Sequence, residues 1–382
     1  MHSKNSILYT LALMLVSACL LKYGLSPILH SGYPVWLIVS TALIILITGA
    51  AYPLTKAAGI IESVTDILSK KSGLSAGLIQ SLGTAFPDMI LGVTAAIISL
   101  SFVKDDPEKA ISFALIAAAT TFGSNIYNVG HAVWCIYRQN KSDKLNQNLL
   151  MFPGLKKLGM VKPLSSHKKL PGLGDMDNAI HLLTILSILT AAVALAMVAF
   201  GKITPTLFQL VRPAGVVLFF VTGYILYSFR QKPGHVAEAE AAGEQTPFTN
   251  FPEYGIWLAL VIAGITIAFT AESMVKSLEV VSAIAGIPYV LSGALAGLIG
   301  CLGEMIVIHN YSIHQNGRLG DAIVGVTMDN IVTIMGASIV SIIGGIFLGG
   351  TSLIILFVLI LVLNGILVDQ ISTLKTTVIK LR

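Results

Sequence analysis

Residues 72–96 read SGLSAGLIQSLGTAFPDMILGVTAA, and after a short polar turn residues 113–130 read FALIAAATTFGSNIYNVG. A second pair follows the same plan: AGIPYVLSGALAGLIGCLGEMIVIHN at 285–310, then LGDAIVGVTMDNIVTIMGAS at 319–338. Each pair begins with a Gly-rich apolar run carrying a carboxylate about two-thirds of the way along, Asp88 or Glu304. Each continues into a partner run with small polar residues and asparagine. Self-similarity of this kind marks one structural unit used twice.

The surrounding composition says what solvent the unit meets. Of 382 residues, 55% are hydrophobic and 11% charged, with mean hydropathy +0.83. An average soluble domain carries about 25% charged residues. That excludes a soluble enzyme, a nucleic-acid binder and a disordered scaffold. The net charge of +5 does not indicate nucleic acid, because lysine and arginine fall almost entirely between apolar runs, where they set topology.

A helix needs about 20 apolar residues to cross the hydrocarbon core. Ten runs qualify, at 6–23, 34–54, 74–101, 110–137, 179–200, 213–230, 255–274, 289–311, 320–347 and 350–368. The expected fold is all-α: a polytopic membrane protein of about ten transmembrane helices. With the N-terminus cytoplasmic, 18 of the 24 basic residues fall on the cytoplasmic side, so an integral membrane protein of the plasma (inner) membrane with both termini inside is expected. The first repeat then starts inside and the second outside, giving inverted-topology repeats, an arrangement common among secondary transporters.

The expected organisation is N-terminal spans at 1–54, an amphipathic helix and first repeat at 55–137, a basic cytoplasmic loop at 138–178, connecting spans at 179–275, a second repeat at 276–347, and a last span with a basic tail at 348–382. The 138–178 loop, with Pro153-Gly154 and Pro171-Gly172, reads as a solvated tether with little fixed structure. So does the acidic loop 231–253. Residues 56–71 place Ile60, Ile61, Val64, Ile67 and Leu68 at helical spacing, as in a helix lying on the cytoplasmic surface. Val16-Ser17-Ala18-Cys19 has the look of a cleavage box, but so many later spans favour a retained first helix. Cys19, Cys135 and Cys301 show no CxxC pair, so neither zinc nor a disulfide is indicated.

Carboxylates deep in apolar runs decide the chemistry. Asp88, Glu304 and Asp329 cost a few kcal/mol or more there unless paired or hydrated, and no basic residue of the repeat helices stands at comparable depth. The simplest counter-ion is a bound cation. Thr84 and Asp88 are four apart on one helix face, as are Thr121 and Asn125 on the partner, and converging oxygens suit hard cations. Pro87 and Gly83 can break the first helix and free backbone carbonyls near Asp88. His131 reads as an interhelical hydrogen-bonding residue, and His309, five residues past Glu304, as one off the carboxylate's face. Glu272 and Glu279 read as interfacial groups near the outer mouth, and Trp36, Trp134 and Trp257 as interface anchors or packing.

Gly83-Thr84-Ala85-Phe86-Pro87-Asp88 resembles the G-T-S-L-P-E signature of the Ca²⁺/cation antiporter superfamily, which includes the sodium/calcium exchangers. Gly123-Ser124-Asn125-Ile126-Tyr127-Asn128 resembles its companion G-S-N-I-F-N. In that family both signatures occur twice, in inverted repeats, and their oxygens bind the exchanged cations. The resemblance implies Asp88 and Glu304 as the two central carboxylates, with Thr84, Thr121, Ser124 and Asn125 as neighbouring ligands. The second repeat departs from the signatures: Ile299-Gly300-Cys301-Leu302-Gly303-Glu304 keeps only the acid, and the companion becomes Met328-Asp329-Asn330-Ile331. Asp329 and Asn330 could supply the oxygens that Gly300 and Cys301 lack.

The resemblance therefore implies an antiporter that exchanges Ca²⁺ for Na⁺ by alternating access, with no permanently bound cofactor and no enzymatic chemistry. Its partners are small inorganic cations and the lipid bilayer, not nucleic acid. A proton-coupled or other-cation antiporter, or a non-transporting scaffold with a degenerate site, stays open as an alternative.

Overall fold

In hydrocarbon, backbone polar groups must be satisfied within the chain, which favours helices. Helix is nearly all that the computed structural model contains over the residues it describes: 4–30, 32–72, 86–199, 207–229, 248, 251–287, 289–314, 317–343 and 351–382. In order these form α1 (Lys4–Cys19), α2 (Val35–Gly49), α3 (Thr55–Ser72), α4 (Phe86–Phe102), α5 (Pro107–Leu145), a two-stranded hairpin of β1 (Leu149–Leu150) and β2 (Met160–Val161), α6 (Leu173–Ala199), α7 (Leu207–Phe229), α8 (Glu253–Ala285), α9 (Tyr289–Gly300), α10 (Leu302–Ser312), α11 (Leu319–Ile343) and α12 (Thr351–Leu381).

A helix lies on each of the ten apolar runs, in the third from Phe86 onward. Among the described residues, five segments are long and apolar enough to cross a bilayer: Ser6–Leu29, Val35–Ile61, Glu253–Met274, Leu319–Ile343 and Ile354–Leu381. A sixth is broken, its two pieces at Leu291–Leu298 and Leu302–Ser312 bent by 44°. Large apolar side chains such as Ile44, Ile47, Ile355 and Val358 point outward, as lipid-facing residues do. This is an integral membrane protein.

The 39-residue α5 runs through the middle, with α4, α9, α10, α11 and α12 packed around it. Its closest partner is α9, for a steric reason. Gly293 and Gly297 stand four apart on α9, the small-xxx-small pattern that lets helix backbones touch. A Cβ on Gly297 would lie 2.7 Å from the Ser124 nitrogen and 2.8 Å from the Thr120 carbonyl, and one on Gly293 would lie 2.7 Å from Ala119 Cβ. Gly297→Val therefore has to push α9 off α5. Overpacking of this kind costs about 1–3 kcal/mol, and a lowered unfolding temperature in detergent is the expected readout.

The helices on the N-terminal side form a separate apolar cluster. Ile7, Leu11 and Met14 of α1 meet Ala42 and Ile45 of α2, Ile61, Val64 and Leu68 of α3, and Ile256, Ala263 and Ile267 of α8. This corrects the reading of 56–71 as a helix resting on the membrane surface. Its apolar stripe is covered by α8 and α10, and it continues from α2 through a π-helical segment, Ala50–Leu54, that contains Pro53. The wider π turn accommodates the proline's missing N–H. The apolar spacing was read correctly; protein covers it in place of lipid.

The 138–178 segment is also corrected: it is folded. Gln139 Nε2 donates to the Lys162 carbonyl at 2.9 Å, and the Asp143 carboxylate accepts the Leu164 N–H at 2.6 Å. Arg138 donates to the Leu150 carbonyl, and Met151, Val161 and Leu164 are buried. Gly154 and Gly159 adopt positive φ at the turns. The hairpin caps the end of α5 and is tied down by its own polar groups. Of the acidic loop 231–253, residues 231–247, 249 and 250 lie outside the described residues.

Candidate functional site

The break between α9 and α10 sets the position of Glu304. Gly300 ends one helix, Cys301 takes φ −87° and ψ 1°, and Leu302 starts the next. Glu304 thus sits in the first turn of α10, where the partial positive charge of a helix N-terminus favours an anion. Its side chain is 1% exposed.

Opposite it, α11 is buried without interruption from Leu319 to Thr333. A span so fully enclosed by protein can carry polar residues in its middle, and Asp329 is 2% exposed. From α5, the Asn128 amide Nδ2 donates to Glu304 Oε2 at 3.2 Å and also to Asp329 Oδ2. The two carboxyl groups thus converge on one amide nitrogen. Two buried carboxylates held this close resist both staying ionised unless a proton or a cation joins them. Neither α10 nor α11 contains a lysine or arginine.

Around this trio are buried oxygens with nothing to accept from. Asn125 Oδ1, Asn128 Oδ1, Asp329 Oδ1 and Thr333 Oγ1 have no hydrogen-bond partner among the described residues. Each such buried acceptor costs about 1–3 kcal/mol, and a cation would recover that cost. The chemistry is all oxygen, from carboxylate, amide and hydroxyl, a donor set that fits a hard cation.

The sequence-derived residues divide into three groups. Glu304, Asp329 and Asn125 are buried at or beside the trio. Thr121 and Ser124 are buried on α5 and spend their protons locally, Thr121 on the Ala117 carbonyl at 2.8 Å and Ser124 on the Thr121 carbonyl at 3.0 Å, which leaves their lone pairs to accept. Asn330 donates to the Val326 carbonyl of its own helix at 3.1 Å. Thr84 lies outside the described residues. Asp88 falls on α4 one turn before Gly92, where a Cβ would come within 2.5 Å of Thr121 Oγ1, so α4 and α5 are in direct contact at that level.

Asn128 is the residue that sequence reading passed over. It is the last letter of the quoted Gly123–Asn128 stretch and stands one turn past Asn125, so helical spacing could have found it. Glu272, read as an interfacial acid, is ion-paired: it meets Lys22 at 2.8 Å and Lys276 at 2.8 Å. His131 hydrogen-bonds the Met305 backbone on α10, an interhelical contact as expected. Trp134 donates to the Met151 carbonyl at 3.0 Å, a packing role.

No family model and no curated protein matches the sequence. By structure, the chain is similar to the sodium-calcium exchanger NCX_Mj soaked with 2.5 mM Na⁺ and 0.1 mM Sr²⁺, with TM-score 0.53 and 15% identity, covering 90% of this chain and 98% of that one. It is likewise similar to native YfkE, with TM-score 0.56 and 14% identity over 97% of each chain. The fold is that of the sodium-calcium exchanger, as the two signatures implied.

Proposed function

We propose that this protein is a secondary active cation antiporter, exchanging Ca²⁺ for Na⁺ across the membrane by alternating access at the carboxylate site. One observation carries the reading: Glu304 and Asp329 are buried together on one amide of α5, beside oxygen acceptors that find no donor among the described residues. An oxygen-lined anionic site at the break of a discontinuous helix is what a hard cation requires. The shared fold with an exchanger supports the same reading, and Asp88 on α4 is the carboxylate expected to complete the site. In this scheme the repeats at 55–137 and 276–347 hold the ion while the remaining helices move against them. No covalent chemistry is involved; the ion gradient drives the cycle.

A second reading has its own support. Glu304 and Asp329 accept from the same amide nitrogen, an arrangement close enough for one proton to be shared, so H⁺ could replace Na⁺ as the exchanged ion. The experiment that separates the two is ⁴⁵Ca²⁺ uptake into proteoliposomes loaded with Na⁺, repeated with an imposed pH gradient. Uptake driven by Na⁺ alone supports the first reading, and uptake driven by pH alone the second. No uptake under either gradient would sink both for Ca²⁺.

Asn128 gives a graded test. Asn128→Leu removes the donor that both acids share. Hydrogen bonds to charged groups are worth about 1.5–3 kcal/mol, so the Ca²⁺ concentration for half-maximal uptake should rise roughly 10–100-fold. An unchanged value would remove Asn128 from the site.

A further inference from the structure

Farther along the helices that carry Asn128 and Glu304, a cluster of different chemistry appears. His131 and Cys135 stand four apart on α5, and His309 lies five residues past Glu304 on α10. One ligand atom from each of the three lies within 4.8 Å of the others, and His131 Nε2 is 3.5 Å from Cys135 Sγ. Two imidazoles and a thiol suit a borderline or soft metal ion, unlike the oxygen set one turn away.

The surroundings hold these side chains as metal ligands are held. His309 Nε2 lies 2.8 Å from the Leu158 carbonyl. A carbonyl only accepts, so that nitrogen carries the proton and Nδ1 keeps its lone pair. The His131 ring hydrogen-bonds the Met305 backbone. Imidazoles fixed by an outer hydrogen bond in this way are the usual form of histidine at a metal centre. Phe152 stacks on both rings, at 6.1 Å from His131 and 5.9 Å from His309, and the imidazoles stack on each other at 5.7 Å. The loop carrying Phe152 and Leu158 therefore closes over the cluster.

We propose that His131, Cys135 and His309 bind one zinc-type divalent ion, with the fourth position left to water. Three protein ligands and an open position make an exchangeable site, not a closed structural one. The ion would bridge α5 to α10 beside the carboxylate site, under the hairpin. This inference does not depend on the exchange reading, because binding is measured without transport.

The test uses the full-length purified protein in detergent, carrying Cys19→Ser and Cys301→Ser so that Cys135 is the remaining thiol. Co²⁺ is the probe, since a cobalt–thiolate bond gives a charge-transfer absorption band. One equivalent of Co²⁺ should produce the band, Zn²⁺ should abolish it by displacement, and affinity should rise with pH because binding releases the thiol proton. Cys135→Ser should remove the band. His309→Ala, at a partly exposed position, should weaken binding by at least the roughly 10–100-fold that losing an outer-shell partner costs, which covers the case in which the buried Cys135→Ser fails to fold. Glu304→Gln should leave the band in place. No band from folded protein, a band that survives Cys135→Ser, or one lost in Glu304→Gln would each overturn the proposal, the last by moving the metal to the carboxylates.

Discussion

Glu304→Gln is expected to bring gradient-driven ⁴⁵Ca²⁺ uptake down to the level of empty liposomes while leaving the protein folded. The amide is isosteric with the carboxylate, so its oxygen can still accept from Asn128 and its nitrogen can donate to Asp329. That substitution even removes the conflict between two acids on one amide, so an unchanged or higher unfolding temperature is expected. Charge is what disappears. A charged partner at a buried site is worth about 3–5 kcal/mol, which corresponds to roughly a 10²–10⁴-fold loss of cation affinity. Asp329→Asn should act in the same direction. Undiminished uptake by Glu304→Gln in proteoliposomes would defeat the antiporter reading outright, because α10 contains no other carboxylate to replace it.

The helices were legible because the bilayer leaves so few solutions: a long apolar run without charge has little choice but to be helical. The carboxylates were legible for the converse reason, since Glu304 and Asp329 have no business in apolar runs unless something holds them. What the sequence hid was partnership. The stripe Ile60, Ile61, Val64, Leu68 looks the same whether lipid or α8 covers it. The 138–178 loop is ordered by contacts such as Asp143 to Leu164 and His309 to Leu158, the latter spanning 151 residues of chain, and no local spacing reports such a contact. Cys135 is a similar case. Alone it reads as a buried apolar residue, and it becomes a candidate ligand only when α10 brings His309 beside it. The helical spacing of His131 and Cys135 was available, and it supplied two of the three ligands.

Asp88 is where the expected effect is as large but rests on the first repeat. The second repeat supplies its own acid pair, Glu304 with Asp329, so the site carries three carboxylates if Asp88 completes it. A divalent ion neutralises two of them, and the third then holds a proton or a Na⁺. On that count Asp88→Asn leaves two acids, enough to bind Ca²⁺ but without the third negative charge. If all three are needed, uptake falls to background; if Glu304 and Asp329 suffice, Ca²⁺ binding survives and its dependence on the opposing gradient is lost. Asp88→Glu separates reach from charge. It restores the acid found in the family signature and adds one methylene, so it should keep most of the gradient-driven uptake that Asp88→Asn loses. The measurement is ⁴⁵Ca²⁺ uptake by both variants side by side under Na⁺ and pH gradients. Full uptake in Asp88→Asn under either gradient would confine the site to α5, α10 and α11 and take the first repeat's carboxylate out of the mechanism.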